Sequence, residues 1–352
     1  MKKDYKIIAL ALIASLGLLF VQEGKAGNPD RSGEAGAAQL LINPFGRSSG
    51  WGGANSASIR GLEAQMYNVA GLAFNDGTEL LFTNTQWLQG SGVTLNAFGI
   101  AQKVGDGSSI GISVMSIGFG EVPYTTNENP DGGVGTFSPS LTNIGVSYAK
   151  AFSNSIYGGI TLRIITESIS DINGAGVTLD AGIQYVTGDN EQIKFGIALK
   201  NVGPKMKYNG DGLTLKSILP GRDDQYTTLM RAAGFEMPSL LNIGAAYDFH
   251  FGEAHRLTPA LNFCSNSFTR DQFTGGLEYS LKEFLMIRGG YTYENGMYDE
   301  AERTTVFSGL SAGMTVEIPF NRESNSTFGL DYSFRDTNPF GGVHSIGARI
   351  KL

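Results

Sequence analysis

Cysteine is nearly absent: Cys264 is the single one in 352 residues, so the chain can form no internal disulfide and offers no paired-cysteine metal or redox motif. Charge is sparse as well, at 17% of residues, and its balance is acidic, with a formal net charge of −7. No Lys/Arg stripe interrupts that balance, which excludes a nucleic-acid partner held by phosphate contacts. After Val21 there is no apolar run of about 18 residues or more, the length a spanning helix requires. A chain without such a run crosses a bilayer only as a closed sheet, because every backbone donor in lipid needs an internal partner.

Glycine and aromatic residues are plentiful: 49 Gly, 21 Phe and 14 Tyr. The amino terminus carries Lys2, Lys3 and Lys6 before a short apolar core from Ile7 to Val21, and Gly24-Lys25-Ala26 supplies a small-x-small site. This is the pattern of an export leader, and cleavage is expected after Ala26. Loss of four Lys and two acidic residues with the leader takes the formal charge from −7 to −9. The expected organisation is a leader over 1–26, a plug segment over 27–78 and a transmembrane β-barrel over 79–352.

From Glu79 onward the dominant period is two, which places successive side chains on opposite faces of a sheet. Phe328, Leu330, Tyr332 and Phe334 alternate with Gly329, Asp331 and Ser333. Leu179, Ala181, Ile183 and Tyr185 alternate with Asp180, Gly182 and Gln184. Such runs number fourteen, from 79–89 to 343–352, with one at 239–251 and another at 304–318. An even number of tilted strands of roughly 9 to 11 residues is the signature of an all-β, 14-stranded antiparallel transmembrane β-barrel of the outer membrane.

The connections agree with that reading. The second, fourth, sixth, eighth and tenth are short, at Gly105-Asp106-Gly107, Phe152-Ser153-Asn154, Gly188-Asp189, Gly252-Glu253 and Lys282-Glu283, while the first, around Gly90 to Gly92, and the moderately long twelfth, Pro319 to Asn325, do not discriminate. The long ones, Glu121 to Ser138, Val202 to Pro238 and Asn295 to Arg303, fall between them. Outer-membrane barrels have short periplasmic turns and long outer loops. Gly145, Gly182, Gly196 and Gly244 fall on inward positions, where they leave room in the lumen. A soluble sandwich also alternates, but it accounts less well for the leader and for successive hairpins of this length.

Several patterns with possible chemistry read more simply as wall or turn. Gly309-Leu310-Ser311-Ala312-Gly313 matches the nucleophile-elbow spacing, yet it lies within a continuing strand and lacks the strand-turn-helix context. His250, His255 and His344 have no metal-ligand spacing. Asn127 to Gly133 lacks the spaced oxygen frame of a calcium loop. No catalytic residue, metal or cofactor is expected. The Val202 to Pro238 loop carries Leu219, Tyr226, Met230, Phe235 and Met237 among charges. It suits a lid, a lipid-facing flap, a docking surface or a loop packed on itself; with Phe137 and Pro139 these are the candidate partner-binding residues.

Leu40 to Phe74 precedes the first strand and does not alternate. It holds Asn43, Pro44, Arg47, Gly52, Gly53, Arg60, Asn68 and Gly71, and short helical turns inside a closed sheet are expected, with Arg47 and Arg60 buried against lumen carboxylates such as Asp180, Glu278 or Asp331. The frame Asn43-Pro44-Phe45-Gly46-Arg47-Ser48-Ser49-Gly50, then Gly52-Gly53-Ala54, then Asn68-Val69-Ala70-Gly71-Leu72-Ala73 resembles the amino-terminal signature of the PorV/PorQ family. These proteins of Bacteroidetes are related to the long-chain fatty-acid transporter barrels. Where the family has Asn-Pro-Ala-Gly-Leu-Ala, this chain has Val69 in place of proline. Phe235 to Gly244 is similar to the family's return into the strand after its long loop. The resemblance implies an outer-membrane barrel with a plugged lumen, a part in type IX secretion and gliding motility, and as partners a translocon subunit, the targeting domain of secreted cargo, and outer-membrane lipid. The competing expectation is a channel for hydrophobic small molecules.

Overall fold

The computed structural model describes residues 27–352 apart from 219, 222–223 and 322–325. The expected leader, 1–26, therefore lies outside the described residues. The wall strands are β1 (Thr78–Trp87), β2 (Val93–Gly105), β3 (Ser108–Gly118), β4 (Ser140–Ala151), β5 (Ile156–Ile169), β6 (Ile172–Thr187) and β7 (Ile193–Val202). They continue as β8 (Leu240–Tyr247), β9 (His255–Asn266), β10 (Gln272–Leu281), β11 (Leu285–Glu294), β12 (Phe307–Asn321), β13 (Ser326–Thr337) and β14 (Val343–Lys351). Each pairs antiparallel with its sequence neighbour, and β1 pairs with β14 from Glu79↔Lys351 to Gln86↔His344. The sheet is thus a closed 14-stranded barrel with no free edge. Lys207–Asn209 extends it beside β6, and Phe249–Phe251 continues β8 beyond a break at Asp248.

Side-chain alternation explains which face meets lipid. On β5, Ile160, Leu162 and Ile164 point outward, 52%, 47% and 41% exposed, while Thr161, Arg163 and Ile165 are buried in the lumen. The same division recurs on β7, where Phe195, Ile197 and Leu199 face outward and Lys194, Ala198 and Lys200 face inward. An apolar outer belt with a polar interior is stable only where the outside is hydrocarbon. The chain is an outer-membrane barrel.

The short connections, 152–155, 188–192, 252–254 and 282–284 among them, gather at one end, and the long ones, 119–139, 203–239 and 295–306, at the other. The second end is therefore the outer one. β12 runs three residues beyond the expected 318, which shortens the turn anticipated over 319–325.

The segment before β1 starts at the outer rim. There Gly27 N–H donates to Asp271 Oδ2 at 2.7 Å, and Arg31 reaches Glu34 at 2.7 Å and Glu236 at 3.0 Å. It then turns inward through a 3-10 turn, Ala38–Leu41, and a short helix α1, Gly46–Gly50, that lies against β12, β13 and β14. Two further 3-10 turns, Leu62–Met66 and Val69–Phe74, bring it to the far wall, β3 to β6. It leaves at the short-turn end, where Thr78 N–H donates to Leu352 O at 3.1 Å. Ile59, Leu62 and Leu72 are at most 2% exposed, and each such burial contributes about 1.5–3 kcal/mol.

Glycines in the wall mark where this inner segment touches it. A Cβ on Gly244 would lie 2.0 Å from Ser56 Oγ, and one on Gly182 would lie 2.2 Å from Asn68 Oδ1. The inward glycines are thus not vacant lumen but the seats of the segment they accommodate.

Candidate functional site

Polar wall side chains hold the inner segment by its backbone. Arg163 Nη2 donates to Gln65 O at 3.0 Å, Gln184 Nε2 to Ile59 O at 3.1 Å, and Thr85 Oγ1 to Pro44 O at 3.1 Å. Glu79 accepts from Leu62 N–H at 3.1 Å, and Lys200 donates to Met66 O. Within the segment, Asn43 Oδ1 accepts from Phe45 N–H at 3.0 Å. Asn68 caps the Val69–Phe74 turn through Ala70 N–H and donates to Ile183 O at 2.9 Å. Gly52 and Gly53 take φ of +66° and +89°, and Gly71 passes so close to Ile59 O that a Cβ would lie 2.0 Å from it. Irregular backbone at membrane depth needs such partners where no ladder supplies them.

Residues 43–67 separate two cavities. Below them, toward the short turns, lies a vestibule of about 700 Å³ lined by Arg47, Arg60, Glu63, Lys194, Asp248, Arg256, Glu278, Glu317 and Lys351. Its charges are paired: Lys194–Asp248 at 2.5 Å, Arg256–Glu278 at 3.1 Å, Arg256–Glu283 at 2.9 Å and Lys351–Glu317 at 3.4 Å. Three lumen arginines of the wall are paired likewise, Arg163–Asp180, Arg288–Glu278 and Arg349–Glu317, each at 2.9 Å.

These wall pairs correct the expectation for Arg47 and Arg60. Asp180, Glu278 and Asp331 serve wall arginines, being one strand away from them. Arg47 instead approaches Glu63 of its own segment at 3.7 Å. Arg60 is 43% exposed in the vestibule, stacked 4.3 Å over Phe74 and 3.2 Å from Glu191 of a short turn. Glu63 also accepts from Ser48 N–H at 3.1 Å and Ser48 Oγ at 2.6 Å. Burial pushes its carboxyl above the ordinary range, against the pull of Arg47.

Above residues 43–67, toward the long loops, is a smaller pocket of about 210 Å³. Leu40, Leu41, Met66, Tyr67, Trp87, Leu240 and Phe307 supply its apolar surface, and Arg335, Lys200 and Glu294 its charge. Trp87 meets Phe307 edge-on at 5.8 Å, and the Arg335 guanidinium lies 3.8 Å over Phe307. The wall beside this pocket is irregular. The β11–β12 ladder ends at Tyr291↔Leu310, and β12–β13 shifts register between Phe307 and Ser311. Ser311 itself stays within the strand and donates to Gly290 O at 3.1 Å.

The loop residues singled out from sequence separate into two groups. Met230 is 54% exposed, and Tyr226 lies on a hairpin, Thr214–Ile218 paired with Gln225–Leu229, that stands out from the rim. Phe137 and Pro139 are half-buried at the outer end of the Thr136–Phe137 arm. Met237 is not available to a partner: it is 3% exposed, packed with Ala37, Leu40, Ile165 and Met206, and Phe235 closes the same cluster with its ring 5.3 Å from Tyr208. The inner segment needs a roof where it turns into the lumen, and these two residues form it. Leu219 lies outside the described residues. Trp87, Phe307 and Arg335 were not singled out from sequence, because each sits on an ordinary inward strand position and only closure brings them together.

No family model and no curated protein matches the chain. Among solved structures it resembles the Pseudomonas putida toluene transporter TodX, with 13% identity and a TM-score of 0.56 over 88% of this chain and 97% of that one. The Ralstonia pickettii toluene transporter TbuX gives 13% and 0.52 over the same shares, and a Pseudomonas aeruginosa FadL homologue 11% and 0.51, again over 88% and 97%. At such identities the likeness is one of fold. The fold is that of the FadL-like outer-membrane transport barrels.

Proposed function

We propose that this barrel admits small hydrophobic compounds from the cell exterior into the pocket above its inner segment, which acts as a plug. The carrying observation is that pocket: about 210 Å³, on the outer side, where Leu40, Leu41, Met66, Tyr67, Trp87 and Phe307 form an apolar surface beside polar residues such as Asn43, Asn242, Asn262 and Gln272. Small molecules bind in concavities that combine apolar surface with placed polar groups. The plug is bonded to the wall at many points, so passage straight through it would break those contacts together. The irregular wall at β11–β12 borders the pocket and offers a sideways path instead. The fold shared with the toluene transporters and the FadL homologue supports this reading.

In a host lacking a hydrocarbon channel, expression of the chain is expected to raise uptake of labelled toluene several-fold. Trp87→Ala with Leu41→Asp should abolish the gain. Uptake equal to the empty vector would refute the reading.

A second reading is favoured by one feature, the rim hairpin, where Leu215, Ile218, Leu229 and Met230 are 39%, 62%, 65% and 54% exposed. Together with the resemblance of the amino-terminal signature to PorV/PorQ proteins, it supports a carrier that binds secreted cargo beside a type IX translocon. Affinity capture of the native barrel in mild detergent tests it: cargo or a translocon subunit should co-purify and be lost on deletion of 214–229. Capture without either would remove this alternative.

A further inference from the structure

We infer that the outer pocket selects a small aromatic carboxylate, with Arg335 as the group that receives the anion. This rests on the reading that the pocket takes up a small hydrophobic compound, and it narrows that compound's chemistry.

Arg335 projects inward from β13 at the pocket. Where Arg163, Arg288 and Arg349 each have a carboxylate at 2.9 Å, Arg335 has no ion-pair partner among the described residues and lies over the Phe307 ring at 3.8 Å. A half-buried guanidinium without an anion is free to receive one in the pocket, and its planar fork matches a carboxylate through two parallel hydrogen bonds. Glu294, the carboxylate among the pocket's lining residues, does not meet this need. Its oxygens accept from Gln272 Nε2 at 2.8 Å and Thr304 Oγ1 at 2.6 Å. Lys200, the other cation, is already committed to the Met66 carbonyl.

Size and lining set the rest of the molecule. A cavity of about 150 Å³ holds benzene, so about 210 Å³ holds one ring with a short substituent. Trp87 and Phe307, edge-on at 5.8 Å, give the ring its aromatic surface beside the guanidinium. A neutral ring would fill the space but leave Arg335 unpaired.

The test is calorimetric titration of the full mature barrel in detergent with benzoate and with toluene, which has the ring but no charge. Wild-type protein is expected to bind benzoate at least about tenfold more tightly than toluene, the scale of a charged hydrogen bond. Arg335→Gln should lose that preference, while Arg335→Lys, which keeps the charge without the fork, retains part of it and controls for folding. Equal binding of the two ligands by wild type, or a benzoate affinity unchanged in both variants, would overturn the carboxylate assignment while leaving the uptake reading in place. Binding of neither ligand would overturn both.

Discussion

The two cavities on either side of the inner segment are built from similar residues to opposite effect. In the lower vestibule Lys194, Arg256 and Lys351 face Asp248, Glu278, Glu283 and Glu317 at 2.5–3.4 Å, so its charge is spent on the wall itself. In the upper pocket Arg335 is paired with an aromatic ring, and Lys200 with a backbone carbonyl. Buried charge that is matched holds a structure together, since removing one partner strands the other. Charge left unmatched in a cavity is available to something from outside. The lower half therefore anchors, and on the proposed reading the upper half receives.

Substitution of matched and unmatched arginines should separate the two halves most sharply. Arg349 faces Glu317 at 2.9 Å and Asp331 at 3.7 Å. Arg349→Met leaves Asp331 without its cation and Glu317 with Lys351 alone, at 3.4 Å, and is expected to cost about 3–5 kcal/mol, read from the urea midpoint of barrel unfolding. A loss below about 1 kcal/mol would mean that the lower charges do not anchor.

Next in size is Glu63, which ties α1 to the later turns through Ser48. Glu63→Ala strands the Ser48 donors and should cost about 1–3 kcal/mol. Because burial raises this carboxyl in the folded state, its contribution is full below the ordinary carboxylate range and is lost as pH rises through the raised value. Glu63→Gln, a permanent mimic of the protonated form, should therefore gain on wild type as pH rises. Urea titrations of both proteins at several pH values check the sign, and a gain that grew on acidification would contradict it.

Arg335→Met should be the mildest of the core changes. It removes a charge that has no carboxylate to strand, so stability should stay within about 1 kcal/mol of wild type. A loss as large as that of Arg349→Met would show that Arg335 has a structural partner and would erase the contrast between the halves.

The smallest effect is expected at the outer rim. Hydrogen bonds from Arg31 and Lys205 hold the exposed Glu236 carboxyl below its usual range. The tether is thus present above the ordinary carboxylate value and weakens as pH falls through the depressed one. Trypsin cleavage after Arg31, corrected for the enzyme's own pH dependence with a model peptide, should quicken only at the acid end. A rate flat with pH would remove the tether from consideration.

The wall was legible from sequence because its rule is local. A period of two in Leu179 to Tyr185 and in Phe328 to Phe334 gives the faces directly, and alternating loop lengths give the two ends. Fourteen strands follow from counting. What escaped depends on closure. Arg47 was expected to meet Asp180, Glu278 or Asp331, but neighbouring strands bring Arg163, Arg288 and Arg349 to those carboxylates first. Met237 and Phe235 look like loop surface until the inner segment's turn at Ala37 and Leu40 is seen beneath them. Trp87 and Arg335 lie 248 positions apart, and only the β1–β14 seam puts both beside Phe307.

The pocket above the inner segment is the feature on which the functional reading depends, and Trp87 reports on it directly. Fluorescence of the detergent-solubilised barrel should be titrated with a small aromatic ligand. The expected result is saturable quenching that disappears in Trp87→Phe. Quenching that is linear with ligand, or that persists unchanged in Trp87→Phe, would contradict a ligand pocket at this position.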